Sequence, residues 1–313
     1  MHTPLDVFLA AQSIVVLDGA LATELERRGA NLVDPLWSAK YLLEKPDLIR
    51  RVHWEYFNAG ADVATTATYQ ANFAAFARRG LEFGAAADLM RSAVTLAIEA
   101  RDEFWALPCN RAGRLKPLVA ASIGPYGAFL ANGSEYRGRY ALNQSGLEKF
   151  HRPRLKVLAE AGADLLAFET IPCLNEAVAL AGLLTEFPSL SAWMSFSCQD
   201  KSRNCEGELV AACAAELQSF RQIAAVGVNC SRPDYIASLL RHMGAHTDKP
   251  LMAYPNSGEQ YDAVGKTWLG PAESFSDQSR SWYEAGARLI GGCCRTTPGD
   301  IATLRASYCG IAR

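Results

Sequence analysis

Ala59-Gly60-Ala61-Asp62, Ala161-Gly162-Ala163-Asp164 and Ala285-Gly286-Ala287-Arg288 repeat one short phrase along the chain, each joining a helical pattern to an apolar run. The glycine suits the left-handed cap that ends a helix, and the chain then enters a strand with no loop between. Outward from these joints, eight strand candidates emerge, over 14–19, 62–69, 118–123, 165–170, 190–197, 224–229, 250–254 and 287–292. Most are continuous apolar runs rather than alternating ones, as strands buried on both faces of a parallel sheet require. Helical patterns lie between them, over 47–58, 85–104, 145–160, 175–185, 208–220, 233–243, 275–284 and 298–306; in the first, Leu48, Val52, Trp54, Tyr56 and Phe57 share a broad apolar face. Eight βα units predict an α/β fold of the (β/α)8 TIM-barrel type, with residues 1–313 forming one domain. An open doubly wound sheet would want a Gly-rich first turn, and here that turn reads Asp18-Gly19-Ala20-Leu21.

Charge narrows the class of partner. The chain holds 31 Lys and Arg against 33 Asp and Glu, a net charge of −2, with no long run of one sign. That balance argues against nucleic acid or an anionic membrane as the main partner and favours small molecules. No stretch reaches the ~18 apolar residues of a membrane span, since Pro125 and several glycines interrupt the uncharged segment 118–134. The opening MHTPLDVFLAAQ has neither a basic region ahead of an apolar one nor an Arg-rich transit pattern, so a cytoplasmic protein is expected. Nine cysteines, an odd number spread over a large chain, do not read as a disulfide framework.

In such a barrel the chemistry sits where strands end and βα loops begin. Cys230 follows the sixth strand in Gly227-Val228-Asn229-Cys230, and Cys293 with Cys294 follows the eighth in Gly291-Gly292-Cys293-Cys294. Three thiolates converging from two strands match a tetrahedral zinc site with one position open, provided the two glycines let the chain leave strand geometry. Cys173 and Cys198, near the ends of strands four and five, are the best decoys. Cys109, Cys205, Cys213 and Cys309 read as structural, and none of the five histidines falls at a strand end. Two carboxylates do, Asp18 and Glu169. A carboxylate leaving an apolar strand needs a partner, either a positively charged ligand group or a loop arginine such as Arg137 or Arg139. Trp37, Tyr69, Tyr126, Tyr136, Tyr254 and Tyr261 crowd the same rim, and aromatic faces attract cations. A thiolate-rich open zinc is suited to holding a further sulfur as thiolate, so the set describes alkyl transfer to an amino-acid thiol.

The motifs Asp18-Gly19, Ser122-Ile123-Gly124-Pro125, Glu169-Thr170-Ile171-Pro172, Gly227-Val228-Asn229-Cys230 and Gly291-Gly292-Cys293-Cys294 occur in this order. With them the sequence resembles the zinc-dependent homocysteine S-methyltransferases, relatives of betaine-homocysteine methyltransferase. The resemblance implies Zn²⁺ on Cys230, Cys293 and Cys294, the amino acid held by Asp18, Gly19, Glu169 and Asn229, and a methyl-donor pocket of Trp37, Tyr69, Tyr126 and Tyr254. Trp37-Ser38-Ala39-Lys40, Gly133-Ser134-Glu135-Tyr136-Arg137-Gly138 and Tyr254-Pro255-Asn256-Ser257-Gly258-Glu259 look most like the branch that uses S-methylmethionine, with S-adenosylmethionine as a second donor. Thr170 stands where the betaine branch carries a tyrosine, and Arg295 where many relatives carry glycine. The implied reaction gives methionine from homocysteine and needs no catalytic side chain beyond the zinc-bound thiolate, because the leaving group is a neutral thioether. Selenohomocysteine or selenocysteine as acceptor, betaine as donor, or a non-catalytic zinc or thiol-redox role are the alternatives.

Overall fold

The computed structural model describes residues 2–32, 37–262, 267–269 and 275–309; the side chains of residues 37, 260–262, 267–269, 276 and 309 fall outside the description. Among the described residues ten strands run in chain order: β1 (Val15–Val16), β2 (Val63–Thr65), β3 (Leu118–Ile123), β4 (Leu165–Ile171), β5 (Ala192–Phe196), β6 (Ile223–Asn229), β7 (Leu251–Tyr254), β8 (Gln260–Asp262), β9 (Thr267–Leu269) and β10 (Ala287–Ile290). Eight of them form one parallel sheet in the order β1-β10-β7-β6-β5-β4-β3-β2. The ends of that sheet meet through a parallel bridge between Leu17 and Val63, flanked by Asp62 N–H to Val16 C=O and Asp18 N–H to Val63 C=O. The sheet is thus a closed (β/α)8 barrel.

Alternation along each strand sorts the two apolar layers. Val15, Leu17, Val63, Ala120, Leu165, Ala167, Trp193, Ala225, Met252 and Leu289 fill the barrel interior as one cluster. Their strand neighbours Val16, Ala64, Val119, Ala121, Leu166, Phe168, Met194, Val226 and Ile290 pack outward in the larger cluster shared with the helices. Both faces are covered, which is why the runs read as continuous. The three repeated glycines occupy the left-handed region, with φ of 117° at Gly60, 90° at Gly162 and 108° at Gly286.

The helices cover the expected segments, as Pro46–Ala59, Phe83–Ala106, Gln144–Ala159, Leu174–Leu184, Val210–Leu217, Pro233–Gly244, Phe275–Glu284 and Pro298–Cys309. Five strands are shorter than the sequence suggests: β5 and β7 lose residues at their ends, and β1, β2 and β10 end early on the rim side. Beyond Thr65 the β2 ladder passes to side chains: the Ser122 amide donates to Thr66 Oγ1 and Thr68 Oγ1 donates to Ser122 C=O. β1 and β10 stop at Val16 and Ile290, although single backbone hydrogen bonds continue beyond them, from Leu17 to Ile290, Gly291 to Ala253 and Gly292 to Asp18. Besides short helices at Leu21–Arg27, Tyr41–Glu44, Phe73–Ala77 and Tyr126–Leu130, two further features go beyond the sequence reading. The antiparallel pair β8–β9 lies in the loop after β7. A helix, Pro4–Ala11, places Leu5 and Phe8 against the barrel interior; its Thr3/Asp6 capping box and Pro4 are an available signal. Among the described residues, no helix is long and apolar enough to cross a membrane.

Candidate metal centre and its surroundings

At the end of β6, Cys230 adopts φ +47°, which turns it out of the ladder at a cost of roughly 1–2 kcal/mol for a non-glycine residue. Past β10, Cys293 donates its amide to Pro255 C=O at 2.8 Å, and Cys294 C=O accepts from Ser257 N–H at 3.1 Å. The same loop ties back to β6, because the Asn256 amide donates to Ser231 C=O at 3.2 Å. The outcome is a cluster in which the sulfurs of Cys230, Cys293 and Cys294 all lie within 4.8 Å of one another, with 3.6 Å between Cys230 and Cys294. It is the one metal-competent group of three found among the described residues.

The two glycines before the pair serve a different purpose from the one expected. Neither has a positive φ; a Cβ on Gly291 would stand 2.5 Å from Leu17 Cβ, and one on Gly292 2.2 Å from Thr296 Oγ1. Close packing, not backbone freedom, requires them. The left-handed residue is Arg295, with φ +70°, whose amide donates to Thr23 Oγ1 and whose guanidinium pairs with Glu259 at 3.1 Å. That conformation is the one glycine adopts without penalty.

Three thiols this close cannot all ionise without opposite charge. Hydrogen bonds from Cys230 and then Cys293 hold Cys294 well below the ordinary thiol range, while Cys293 is pushed up, first by its bond with Cys230. Of the remaining cysteines, Cys173 precedes the helix Leu174–Leu184, and Cys198, Cys205 and Cys213 are buried; none joins the cluster. Cys109 is exposed.

Glu169 reaches the rim through a bulge. The β4–β5 register shifts between Phe168 and Ile171, and Thr170 adopts φ +59°. Bulges re-aim side chains in this way. Asn229 holds the distortion in place: its Oδ1 accepts from the Thr170 amide at 2.7 Å and from Ser195 Oγ at 2.9 Å, and its Nδ2 donates to Thr170 Oγ1 at 2.8 Å. The Asn229 amide is thus engaged with the protein. Burial pushes Glu169 up to about 7, against hydroxyls of Ser122 and Tyr254 that donate to it and the nearby Cys230 that adds to the rise. Asp18 accepts from the Thr65 amide at 2.8 Å and from Thr65 Oγ1. Burial raises its carboxyl well above the usual range, and the charge of Glu169 raises it further. Arg137 instead donates to Asn132 C=O and Arg139 offers its amide to Glu206, so neither pairs with Glu169. Gly19 is a close approach, since a Cβ there would stand 2.9 Å from Thr296 Oγ1 and from the Tyr56 ring.

The aromatic residues divide. Tyr254 lies on the floor, accepting from Trp193 Nε1 at 3.1 Å and bonded to Ser195 Oγ. Tyr69 is near Glu135, Cys230 and Glu169, whose charges all bear on its hydroxyl. Tyr126 turns away into a cluster with Phe129, Tyr140 and Phe150, while its amide donates to Glu176. Trp37 begins a short 3-10 turn, and the side chains of Trp37 and Tyr261 lie outside the described residues. Tyr136, absent from the expected donor pocket, places its hydroxyl 2.9 Å from Cys230 Sγ. Its place on the rim is expected from the sequence, but the contact with Cys230 is not, because the loop after β3 must fold back before it exists.

Residues 15–308 match the family model for homocysteine S-methyltransferase. The chain is 55% identical over 305 residues to homocysteine S-methyltransferase YbgG of Bacillus subtilis, covering 97% of each chain. It is 50% identical to the homocysteine S-methyltransferase of Escherichia coli, covering 97% of this chain and 98% of that one. The metallated crystal form of the homocysteine methyltransferase MmuM from Escherichia coli superposes with a TM-score of 0.88 at 47% identity, covering 97% of this chain and all of that one. The chain therefore belongs to the homocysteine S-methyltransferase family, and it is a methyltransferase acting on homocysteine.

Proposed function

We propose that the chain moves a methyl group from a sulfonium donor, S-methylmethionine first and S-adenosylmethionine second, to homocysteine, with zinc held by Cys230, Cys293 and Cys294. The observation that carries this reading is the three-sulfur cluster beside two buried carboxylates that no cation among the described residues neutralises. Zinc–thiolate bonds of about 2.3 Å set sulfurs roughly 3.8 Å apart in a tetrahedron, and the 3.6 Å between Cys230 and Cys294 agrees. Three cysteines leave a fourth position free, as in catalytic rather than structural zinc sites.

Bound there, zinc would supply the positive charge that lowers the pKa of an incoming thiol. The protein does the rest by position. Glu169 and Asp18 receive the ammonium of homocysteine, and Gly19, where a side chain would collide with Thr296 and Tyr56, keeps the turn after Asp18 closely packed. Asn229 acts through Thr170, holding the bulge that presents Glu169. The acceptor thiolate attacks the methyl carbon in line; the new S–CH3 bond forms as the donor S–CH3 bond breaks, and its electron pair leaves on a neutral thioether. No proton has to be delivered, so positioning supplies much of the acceleration.

The test is methionine formation by purified, reduced, zinc-loaded protein given homocysteine, with S-methylmethionine, S-adenosylmethionine and betaine compared in parallel. Product from the sulfonium donors and none from betaine is expected. No product from either sulfonium donor would overturn the reading. A second acceptor has one specific support: the chain is 44% identical over 302 residues to a selenocysteine Se-methyltransferase of Brassica oleracea, so selenocysteine belongs in the same assay.

A further inference from the structure

Glu135 takes no part in the acceptor site just described, yet it is fixed beside it. It lies in the 3-10 turn Ser134–Tyr136, after residues Ala131 and Gly133 with φ of +52° and +79° have folded the loop back. Ser197 Oγ donates to its carbonyl at 2.8 Å. A Cβ on Gly127 would come within 2.4 Å of its amide nitrogen, so the turn rests directly on the backbone of that loop. The following residue, Tyr136, touches Cys230.

Held in this way, the carboxylate has a buried oxygen, Oε2, with no hydrogen-bond partner. Its charge bears on Tyr69, Tyr140 and Cys205, and Cys230 bears on it in turn. Among the described residues Arg137 is the one cation acting on it, and that guanidinium donates to Asn132 C=O at 2.7 Å. An unpaired carboxylate oxygen out of water is costly and stays in place only where something else is gained. The charge of Glu169 bears on Asp18, and Glu135 is not among the main influences on either. Tyr69 feels both Glu135 and Glu169, and Cys230 bears on each of these carboxylates, so three carboxylates gather around the thiols, more than homocysteine's single ammonium requires.

We propose that Glu135 receives the positive charge of the methyl donor, its carboxylate and the rings of Tyr69 and Tyr136 forming a sulfonium subsite beside Cys230. The inference rests on the sulfonium-donor reading above. Aromatic faces and a carboxylate attract an onium together. The charge they attract disappears as the methyl moves, so Glu135 stabilises the bound donor more than the transition state. Removing such an interaction raises KM without lowering kcat.

The test is steady-state kinetics of zinc-loaded wild type, Glu135→Gln and Glu135→Asp, varying S-methylmethionine at saturating homocysteine and then the reverse. Methionine, the thioether without the extra methyl and charge, is added as an inhibitor. In Glu135→Gln the donor KM should rise about tenfold or more, with kcat unchanged or higher and with homocysteine KM, zinc content and methionine inhibition as in wild type. Glu135→Asp, which keeps the charge, should stay within a few-fold of wild type and controls for folding. An unchanged donor KM in Glu135→Gln, or a fall in kcat shared by both variants, would overturn the proposal while leaving the sulfonium reading intact. Wild type that accepts no sulfonium donor would overturn the reading itself, and this proposal with it.

Discussion

Buried carboxylates stand at both ends of the barrel, and their company differs. At the end opposite the rim, Asp62 is fully buried; its Oδ2 accepts from the Val16 amide and Gln12, and its Oδ1 meets Arg305 at 2.8 Å and Arg114 at 3.9 Å. At the rim, Asp18 and Glu169 have an amide and hydroxyls around them but no cation among the described residues. One end is electrostatically finished by the protein, and the other is left for what binds there. Stability and function should therefore separate by end.

The largest effect should come from the rim's sulfurs. Cys230→Ala is expected to lose bound metal and to lower methyl transfer by more than about a thousandfold, since several kcal/mol of charge stabilisation go with the ion. Metal analysis and a product assay check this, and full activity without the thiol would end the metal reading of the rim.

The comparison is tested most directly by exchanging one carboxylate at each end. Asp62→Asn leaves Arg305 and Arg114 short of a counter-charge and should cost on the order of 3 kcal/mol in urea unfolding, with KM for homocysteine unchanged. Glu169→Gln should do the reverse, raising that KM about tenfold to a hundredfold, the range for losing a hydrogen-bonded charge worth roughly 1.5–3 kcal/mol. Stability should even improve. Burial raises the folded-state carboxyl from its ordinary 4.5 to about 7, so the native state keeps an extra proton across that window and loses stability as pH rises through it. Metal-free Glu169→Gln should match wild type near pH 4 and exceed it by roughly 3 kcal/mol at pH 8. Equal losses of stability in both variants would erase the distinction between the two ends.

Arg295→Gly should have the smallest effect. Relief of a positive φ worth about 1 kcal/mol is offset by the lost, partly exposed Glu259 pair and by a freer unfolded chain, leaving the melting temperature within a degree or two.

The barrel was legible because its signals are local and repeated. Gly60, Gly162 and Gly286 mark helix ends by a conformation that only the backbone dictates, and two-sided burial turns each strand into an apolar run. The three thiols could be read from strand-end position alone. What escaped depends on how loops fold over the rim. Tyr136 reaches Cys230 because the chain reverses near Gly133, whereas Tyr126, ten residues earlier, joins a separate aromatic cluster. Asn229 is polar, buried and next to Cys230, which suggests a ligand contact, yet its partner is the bent backbone at Thr170, invisible until the bulge is seen. Glycines 291 and 292 mark the right place for a different cause, since Leu17 is brought against Gly291 by barrel closure and Thr296 against Gly292 by the turn that follows Cys293.

That closure also sets an order of events for a chain emerging from the ribosome. The amide of Leu17 donates to Ile290 and the amide of Gly292 to Asp18, so the strand made first has its partner in the strand made last. Until the final segment is synthesised, β1 lacks one of its two neighbours, and Cys230 has no second thiol from across the mouth. Metal binding and barrel closure are then late steps, and a stalled or truncated chain ending before Cys293 has neither.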